Sequence, residues 1–159
     1  MKKKDITILL VDDEPDILEI VGYNLSAEGY QVVTAKNGIE AIAKAKKDMP
    51  HLIIMDVMMP EMDGIEACEQ IRKIPELSET IITFLTARNE DYSLVAGFDA
   101  GADDYITKPI KPKVLVSKVK ALLRRLKEED EVVEKVVTVG NIVINRDEYK
   151  IVQQGEEII

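Results

Sequence analysis

Five short apolar runs punctuate the first two thirds of the chain: residues 6–11 (ITILLV), 31–35 (QVVTA), 52–55 (LIIM), 80–85 (TIITFL) and 104–107 (DYIT). Most lack the apolar–polar alternation of a half-wet strand, which suits strands covered on both faces of a parallel sheet. Helical spacing fills the gaps. Pro15 suits a first helical turn, and Leu18, Val21 and Leu25 recur on one side until Gly29 stops the helix. A second stretch follows Lys36-Asn37-Gly38, with Ile39, Ile42, Ala43 and Lys46 on neighbouring turns before Pro50. A third spans 64–73 and a fourth 89–100, and a fifth opens at Pro112 with Leu115, Val119, Leu122, Leu123 and Leu126 on one stripe. Five strands alternating with five helices make repeated βαβ units, whose right-handed crossovers lay helices on both faces of one sheet. The expected fold class is a doubly wound α/β domain with a five-stranded parallel sheet in the order 2-1-3-4-5. Its ligand crevice lies beyond the C-terminal ends of strands 1 and 3.

Beyond residue 126 the pattern changes. Residues 127–135 carry charge without a persistent stripe and read as a linker or the frayed end of the fifth helix. Residues 136–159 alternate strand formers with turn signals at Gly140-Asn141, Asn145-Arg146-Asp147 and Gln154-Gly155, as antiparallel hairpins do. Three or four short strands cannot bury a core unaided, and the pattern stops on Ile158-Ile159. The expected layout is one domain over 1–126, a linker over 127–135, and over 136–159 the β-sheet opening of a truncated second domain.

Composition narrows the function classes. At 159 residues and 46% hydrophobic content the chain can bury a core. No run reaches eighteen apolar residues and the basic start carries no cleavage signal, so no membrane span or secretory signal is read and a cytoplasmic location is expected. The lone Cys68 excludes an internal disulfide and a cysteine zinc cluster, and its helical setting makes it a small buried hydrophobe. The net charge is −9; residues 1–126 hold 21 acidic and 17 basic side chains, and 127–159 hold 9 and 4. Neither part offers the clustered cations that grip a phosphate backbone.

The chemistry is concentrated at strand ends. Residues 9–16, LLVDDEPD, set Asp12, Asp13 and Glu14 directly after the first strand, and Asp56 follows the third. Carboxylates brought into one crevice raise one another's pKa unless a cation neutralises them. Oxygen ligands favour a hard ion, and few carboxylates with a backbone carbonyl and waters suit Mg²⁺ better than a Ca²⁺ cage, whose regular acid spacing DVMMPEMDG lacks. Taken singly, Asp56 reads as a turn or capping residue. The fourth strand, however, runs into Thr86-Ala87 and the fifth into Lys108-Pro109, which adds a hydroxyl and an ammonium to the same rim. Acids, a hydroxyl and a lysine around a metal are the parts that stabilise a phosphoryl group in transfer, with Asp56 as a possible nucleophile.

With VDDE, DVMMPEMDG, LTA, GADDYITKPI and ALLRRL present in order and spacing, residues 1–126 resemble the receiver domain of two-component response regulators, a flavodoxin-like fold. That resemblance implies that Asp56 accepts phosphate from a sensor histidine kinase, without substrate turnover beyond self-catalysed phosphoryl transfer and autodephosphorylation. It implies that Asp13, Asp56 and the backbone carbonyl of Met58 hold Mg²⁺, with Asp12 acting through a metal water. Lys108 would pair with one phosphate oxygen and Thr86 would bond another. Tyr105 matches the aromatic switch that turns inward as Thr86 moves, and Lys108-Pro109 would be cis. The competing plain readings are a solvated surface lysine for Lys108 and an edge-strand aromatic for Tyr105. Met58, Met59 and Met62 read as loop and core packing, and His51 as a polar strand end.

GADDYITKP and ALLRRL, followed by a strand-rich segment, resemble the OmpR/PhoB subfamily, whose effector is a winged-helix DNA-binding domain. The recognition helix is not in this sequence, so promoter DNA would be met only through a missing C-terminal region. The subfamily implies a phosphorylation-dependent homodimer through the fourth helix, fifth strand and fifth helix. Asp99, Asp103, Asp104, Lys118, Lys120, Arg124 and Arg125 match its charged positions. Leu94 stands where a basic residue is common and Val114 where an acidic one is, so an apolar contact would replace that ion pair. The plainer reading is a solvated charged face.

Three alternatives compete. An aspartate-nucleophile phosphatase would want a general acid two residues after Asp56, where Met58 stands. A flavin-phosphate protein would not place VDDEPD at its first loop, and no G-x-G-x-x-G occurs. A stand-alone phosphorelay receiver leaves 136–159 without a purpose.

Overall fold

The five runs pair as one parallel sheet in the order β2-β1-β3-β4-β5, the order expected. The strands are β1 (Thr7–Val11), β2 (Gln31–Ala35), β3 (Leu52–Asp56), β4 (Ile81–Thr86) and β5 (Asp104–Thr107). The computed structural model describes residues 2–86 and 98–138, with side chains described to Arg125. β3 and β4 are buried along their whole length and β1 from its second residue, which is why they read as unbroken apolar runs. β2 pairs only with β1 and is half exposed. The Lys44 ammonium reaches over it to donate to the Thr34 carbonyl.

Three helices connect the first four strands: α1 (Pro15–Ala27), α2 (Gly38–Asp48) and α3 (Gly64–Arg72). The side chains of Asn37 and Asp63 cap α2 and α3, accepting from the amides of Glu40 and Glu66 at 2.9 and 2.8 Å. α1 buries Val21 and Leu25 as its spacing predicts. α2 uses the expected stripe only in part: Ile42 packs on the core, but Gly38, Ala41 and Ala45 are the buried residues, whereas Ile39 is 53% exposed and Ala43 and Lys46 are exposed. Small residues face inward because the backbone approaches closely. A Cβ on Gly38 would lie 2.7 Å from the Met62 carbonyl oxygen.

Of the fourth predicted helix, residues 98–100 are helical and 89–97 lie outside the described residues, as does Leu94. The C-terminal helix runs Pro112–Thr138 and buries Leu115 and Val119. It takes in all of 127–135 and the first three residues of 136–159, since Glu- and Lys-rich sequence propagates a helix once begun. The hairpins expected over 139–159 lie outside the described residues. Residues 1–120 form one compact unit, and a second unit begins at Ala121.

His51 joins three strands at their N-terminal ends: its Nδ1 accepts from the Thr7 amide at 3.0 Å, and its backbone bonds Thr7 and Ile81. Cys68 is buried with its thiol donating to the Ala100 carbonyl, and burial pushes that thiol up to about 11. Among the described residues no helix is long and apolar enough to cross a membrane.

Candidate functional site

Parallel strands deliver their C-terminal ends to one rim. Val11 pairs with Met55, so Asp12 and Asp56 leave adjacent strands side by side. Asp56 pairs with Leu85 and Thr86 with Thr107, which sets Thr86 and Lys108 along the same edge. The Lys108 amide donates to the Thr86 carbonyl at 2.8 Å, and the Lys108-Pro109 bond is cis, as expected.

One oxygen each of Asp12, Asp13 and Asp56 lies within 4.8 Å of the others. Asp12 and Asp56 are buried and Asp13 is exposed. The Lys108 ammonium stands 3.3 Å from Asp56 Oδ2, 3.5 Å from Asp12 Oδ2 and 3.9 Å from Glu14 Oε2. Burial raises the Asp56 carboxyl to about 6, and the Asp12 charge adds to this while Lys108 opposes it. Burial likewise raises Asp12, against the Glu14 amide that donates to its Oδ1 at 2.9 Å. Burial works against the Lys108 ammonium, yet Asp56, Asp12 and Glu14 together outweigh it and its pKa is raised. A cluster in which two acids are held toward their neutral forms is short of positive charge.

The donor chemistry fits a hard divalent cation. Asp12 Oδ2 is buried and accepts no hydrogen bond, with only the ion-pair contact to Lys108 at 3.5 Å beside it among the described residues, so it keeps capacity for a metal ion or its water. Among the described residues, Asp12, Asp13 and Asp56 are the groups that converge closely enough to hold a metal ion. The connection after β3 is tightly built around them. The Met58 amide reaches Asp56 Oδ1 at 3.4 Å, Glu61 takes a left-handed φ of 70°, and the Gly64 amide donates to the Val57 carbonyl. A Cβ on Gly64 would sit 2.2 Å from the Asp56 carbonyl oxygen, so only glycine lets α3 start this close to the acid. Met59 and Met62 pack on the core as expected, while the Met58 side chain is exposed.

Thr86 is buried at the rim. Tyr105 is buried too, its ring 5.7 Å from that of Phe84 and edge-on to Phe98 at 4.8 Å. The charges matched to a dimer face fare differently. Asp99 and Val114 are exposed, as are Arg124 and Arg125. Asp103 is bound inside its own chain, to Arg72 at 3.0 Å and to the Ile82 amide at 2.9 Å. Asp104 pairs with Lys118 at 3.8 Å, and Lys120 with Glu28 at 3.0 Å. The pattern along the chain assigned no role to Glu14, Arg72 or Glu28. Glu14 was visible as the third acid of its run; a single arginine or glutamate at a helix end carries no signal of its partner.

Residues 8–120 match the response regulator receiver domain family. The chain is 42% identical over 158 residues to the alkaline phosphatase synthesis transcriptional regulatory protein PhoP of Bacillus subtilis, covering 94% of this chain and 63% of that protein. It is 38% identical over 151 residues to the phosphate regulon transcriptional regulatory protein PhoB of Rhizobium meliloti, covering 95% and 66%. The chain thus spans less than two thirds of the length of these curated relatives. The crystal structure of response regulator DrrB, described as a Thermotoga maritima OmpR/PhoB homolog, superposes with a TM-score of 0.67 at 36% identity, covering 76% of this chain and 53% of that one.

Proposed function

Because the chain belongs to the response regulator receiver family, in its OmpR/PhoB-type branch, we propose that Asp56 is its phosphoacceptor and that the donor is the phosphohistidine of a sensor kinase. The observation that carries this reading is the meeting of Asp12, Asp13, Asp56 and Lys108 on one rim, with Thr86 beside them. With its carboxyl raised to about 6, Asp56 is mostly ionised at neutral pH, so one of its oxygens can attack phosphorus. The new bond is Asp56 Oδ to phosphorus; the bond broken is phosphorus to the imidazole nitrogen, which leaves with the electron pair. When bound, Mg²⁺ offsets the carboxylate charge and the charge gathering on the transferred oxygens. Lys108 exchanges its contact with Asp56 Oδ2 for a phosphoryl oxygen, keeping an ion pair while changing partner. Thr86 donates its hydroxyl to another oxygen, and the packing of Tyr105 between Phe84 and Phe98 gives that movement a route to the surface.

The chain is read as a phosphoacceptor rather than a turnover phosphatase, because Met58 supplies no general acid two residues after Asp56. Phosphorylation would promote a homodimer across the face bearing Asp99, Asp104, Val114 and Lys118, and promoter DNA would be met by the region of the relatives that this chain does not span. Incubation with acetyl phosphate and Mg²⁺, followed by mass spectrometry of the intact chain and its peptides, tests the assignment. One phosphoryl group on the peptide containing Asp56, lost with EDTA and in Asp56→Asn, is expected. Equal uptake by Asp56→Asn overturns it.

A further inference from the structure

Among the described residues four carboxylates stand at this rim, and the phosphoacceptor reading uses three. Glu14 is outside the group of acids that converge within 4.8 Å, yet its Oε2 is 3.9 Å from the Lys108 ammonium. Its main chain is fixed, since its amide donates to Asp12 Oδ1 and Pro15 opens α1 directly after it. Its side chain is 60% exposed. The charge therefore sits at the solvent mouth of the site without being part of the metal group.

We propose that Glu14 is a specificity-determining residue that favours phosphoramidate-type donors, the class to which a phosphohistidine belongs, over the more negatively charged acyl phosphates. The proposal rests on the reading of Asp56 above. Among the described residues four carboxylates against one divalent cation and one lysine leave one negative charge over. When Lys108 turns to the phosphoryl oxygens, Glu14 loses the one cation paired with it among the described residues and becomes the place where that surplus resides. An acyl phosphate arrives as a dianion, whereas phosphoramidate carries a protonated nitrogen and arrives as a monoanion at neutral pH. Repulsion at the mouth scales with donor charge and acts before any bond changes. The chemistry that follows is the same for both: Asp56 Oδ bonds to phosphorus, and either acetate leaves as the P–O bond breaks or ammonia leaves as the P–N bond breaks.

The ratio of two donor rates isolates this effect, because any change in Mg²⁺ affinity or in Asp56 itself cancels between them. Initial rates of Asp56 phosphorylation by acetyl phosphate and by phosphoramidate, both below saturation with Mg²⁺ present, are measured for the unchanged chain, Glu14→Gln and Glu14→Asp at low and high salt. Glu14→Gln is expected to speed acetyl phosphate about threefold at low salt and phosphoramidate less than twofold, with the difference shrinking at high salt. Glu14→Asp keeps the original ratio. Equal acceleration of both donors at low salt, or none, overturns the role of Glu14 while leaving Asp56 as acceptor. Failure of either donor to label the unchanged chain overturns the reading of Asp56 instead.

Discussion

Replacing Asp56 with asparagine should stabilise the metal-free chain at neutral pH, although it removes the group on which the proposed function turns. The unfolded carboxyl ionises near 3.8, while in the fold burial and the neighbouring Asp12 hold it up to about 6. Between those values the folded chain binds the proton that the unfolded chain has given up. Stability therefore falls as pH rises through the window and stays low above it. A gap of about two pH units, at about 1.4 kcal/mol each, sets a ceiling of about 3 kcal/mol. Asparagine also loses the contact with Lys108, which keeps Asp12 and Glu14 at 3.5 and 3.9 Å, so a net gain of about 2 kcal/mol is expected. Urea unfolding followed by far-ultraviolet circular dichroism, in EDTA from pH 4 to 8, measures it. The unchanged chain should lose stability across pH 4–6.5, whereas Asp56→Asn should have a flatter profile and a higher midpoint at pH 7.5. Millimolar Mg²⁺ should narrow or reverse the difference, since the cation stabilises only a chain able to bind it. An asparagine variant no more stable than the original at pH 7.5 in EDTA would refute the claim that burying the Asp56 charge costs the fold more than Lys108 returns.

Three other substitutions test neighbouring parts of the argument. Arg72 donates to the carbonyls of Gly101, Leu77, Ser78 and Thr80 and pairs with Asp103, so Arg72→Met should cost about 3 kcal/mol in urea unfolding, and Arg72→Lys should restore less than half of that. Gly64→Ala has no room for its methyl against the Asp56 carbonyl; an unfolding loss of about 3 kcal/mol and slower labelling by acetyl phosphate are expected. Lys108→Met removes the ammonium that competes for Asp12 and Asp56, so calorimetric titration should find Mg²⁺ bound several-fold more tightly, and weaker binding would count against Lys108 as the rival.

Sheet order and strand limits were legible because buried parallel strands leave unbroken apolar runs, and because βαβ handedness then allows few arrangements. The rim was legible for the same reason: once strands are parallel, whatever follows each one shares an edge, so Asp12, Asp56, Thr86 and Lys108 meet without further information. Helix faces were less legible. On α2 the apolar stripe includes Ile39, which is exposed, while Gly38, Ala41 and Ala45 are buried; at Gly38 the close approach of Met62 leaves no room for a Cβ, a matter of backbone distance that hydrophobic spacing does not encode. The charge pattern of 127–135 leaves a linker and the end of the fifth helix as alternatives, and the helix continues through it because Glu and Lys favour continuation. Ion-pair partners were not legible at all. Arg72 with Asp103 and Glu28 with Lys120 join residues 31 and 92 positions apart, and only the packed fold brings them together.

Those intrachain pairs alter what a dimer across the Asp99, Asp104 and Lys118 face would gain from charge. Asp103 is the least available: its carboxylate serves both Arg72 and the Ile82 amide, and releasing it would leave a half-buried guanidinium without its counter-ion. Lys118 with Asp104, and Lys120 with Glu28, are more exposed pairs that exchange partners at little cost and for little return. Swapping an intrachain pair for an interchain one then contributes almost nothing net. The apolar groups on the same face remain: Phe98 and Val114 are each more than half exposed, and Phe98 stands edge-on to Tyr105 at 4.8 Å. Burying them against a second copy supplies affinity that salt does not screen. A phosphorylated dimer, measured by sedimentation velocity, should therefore change its dissociation constant less than threefold between 50 and 500 mM salt, and Val114→Lys should weaken it at least tenfold at either salt. A steep salt dependence with an indifferent Val114→Lys variant would mean that charge pairs hold the dimer after all, and that Arg72 and Glu28 release their partners on association.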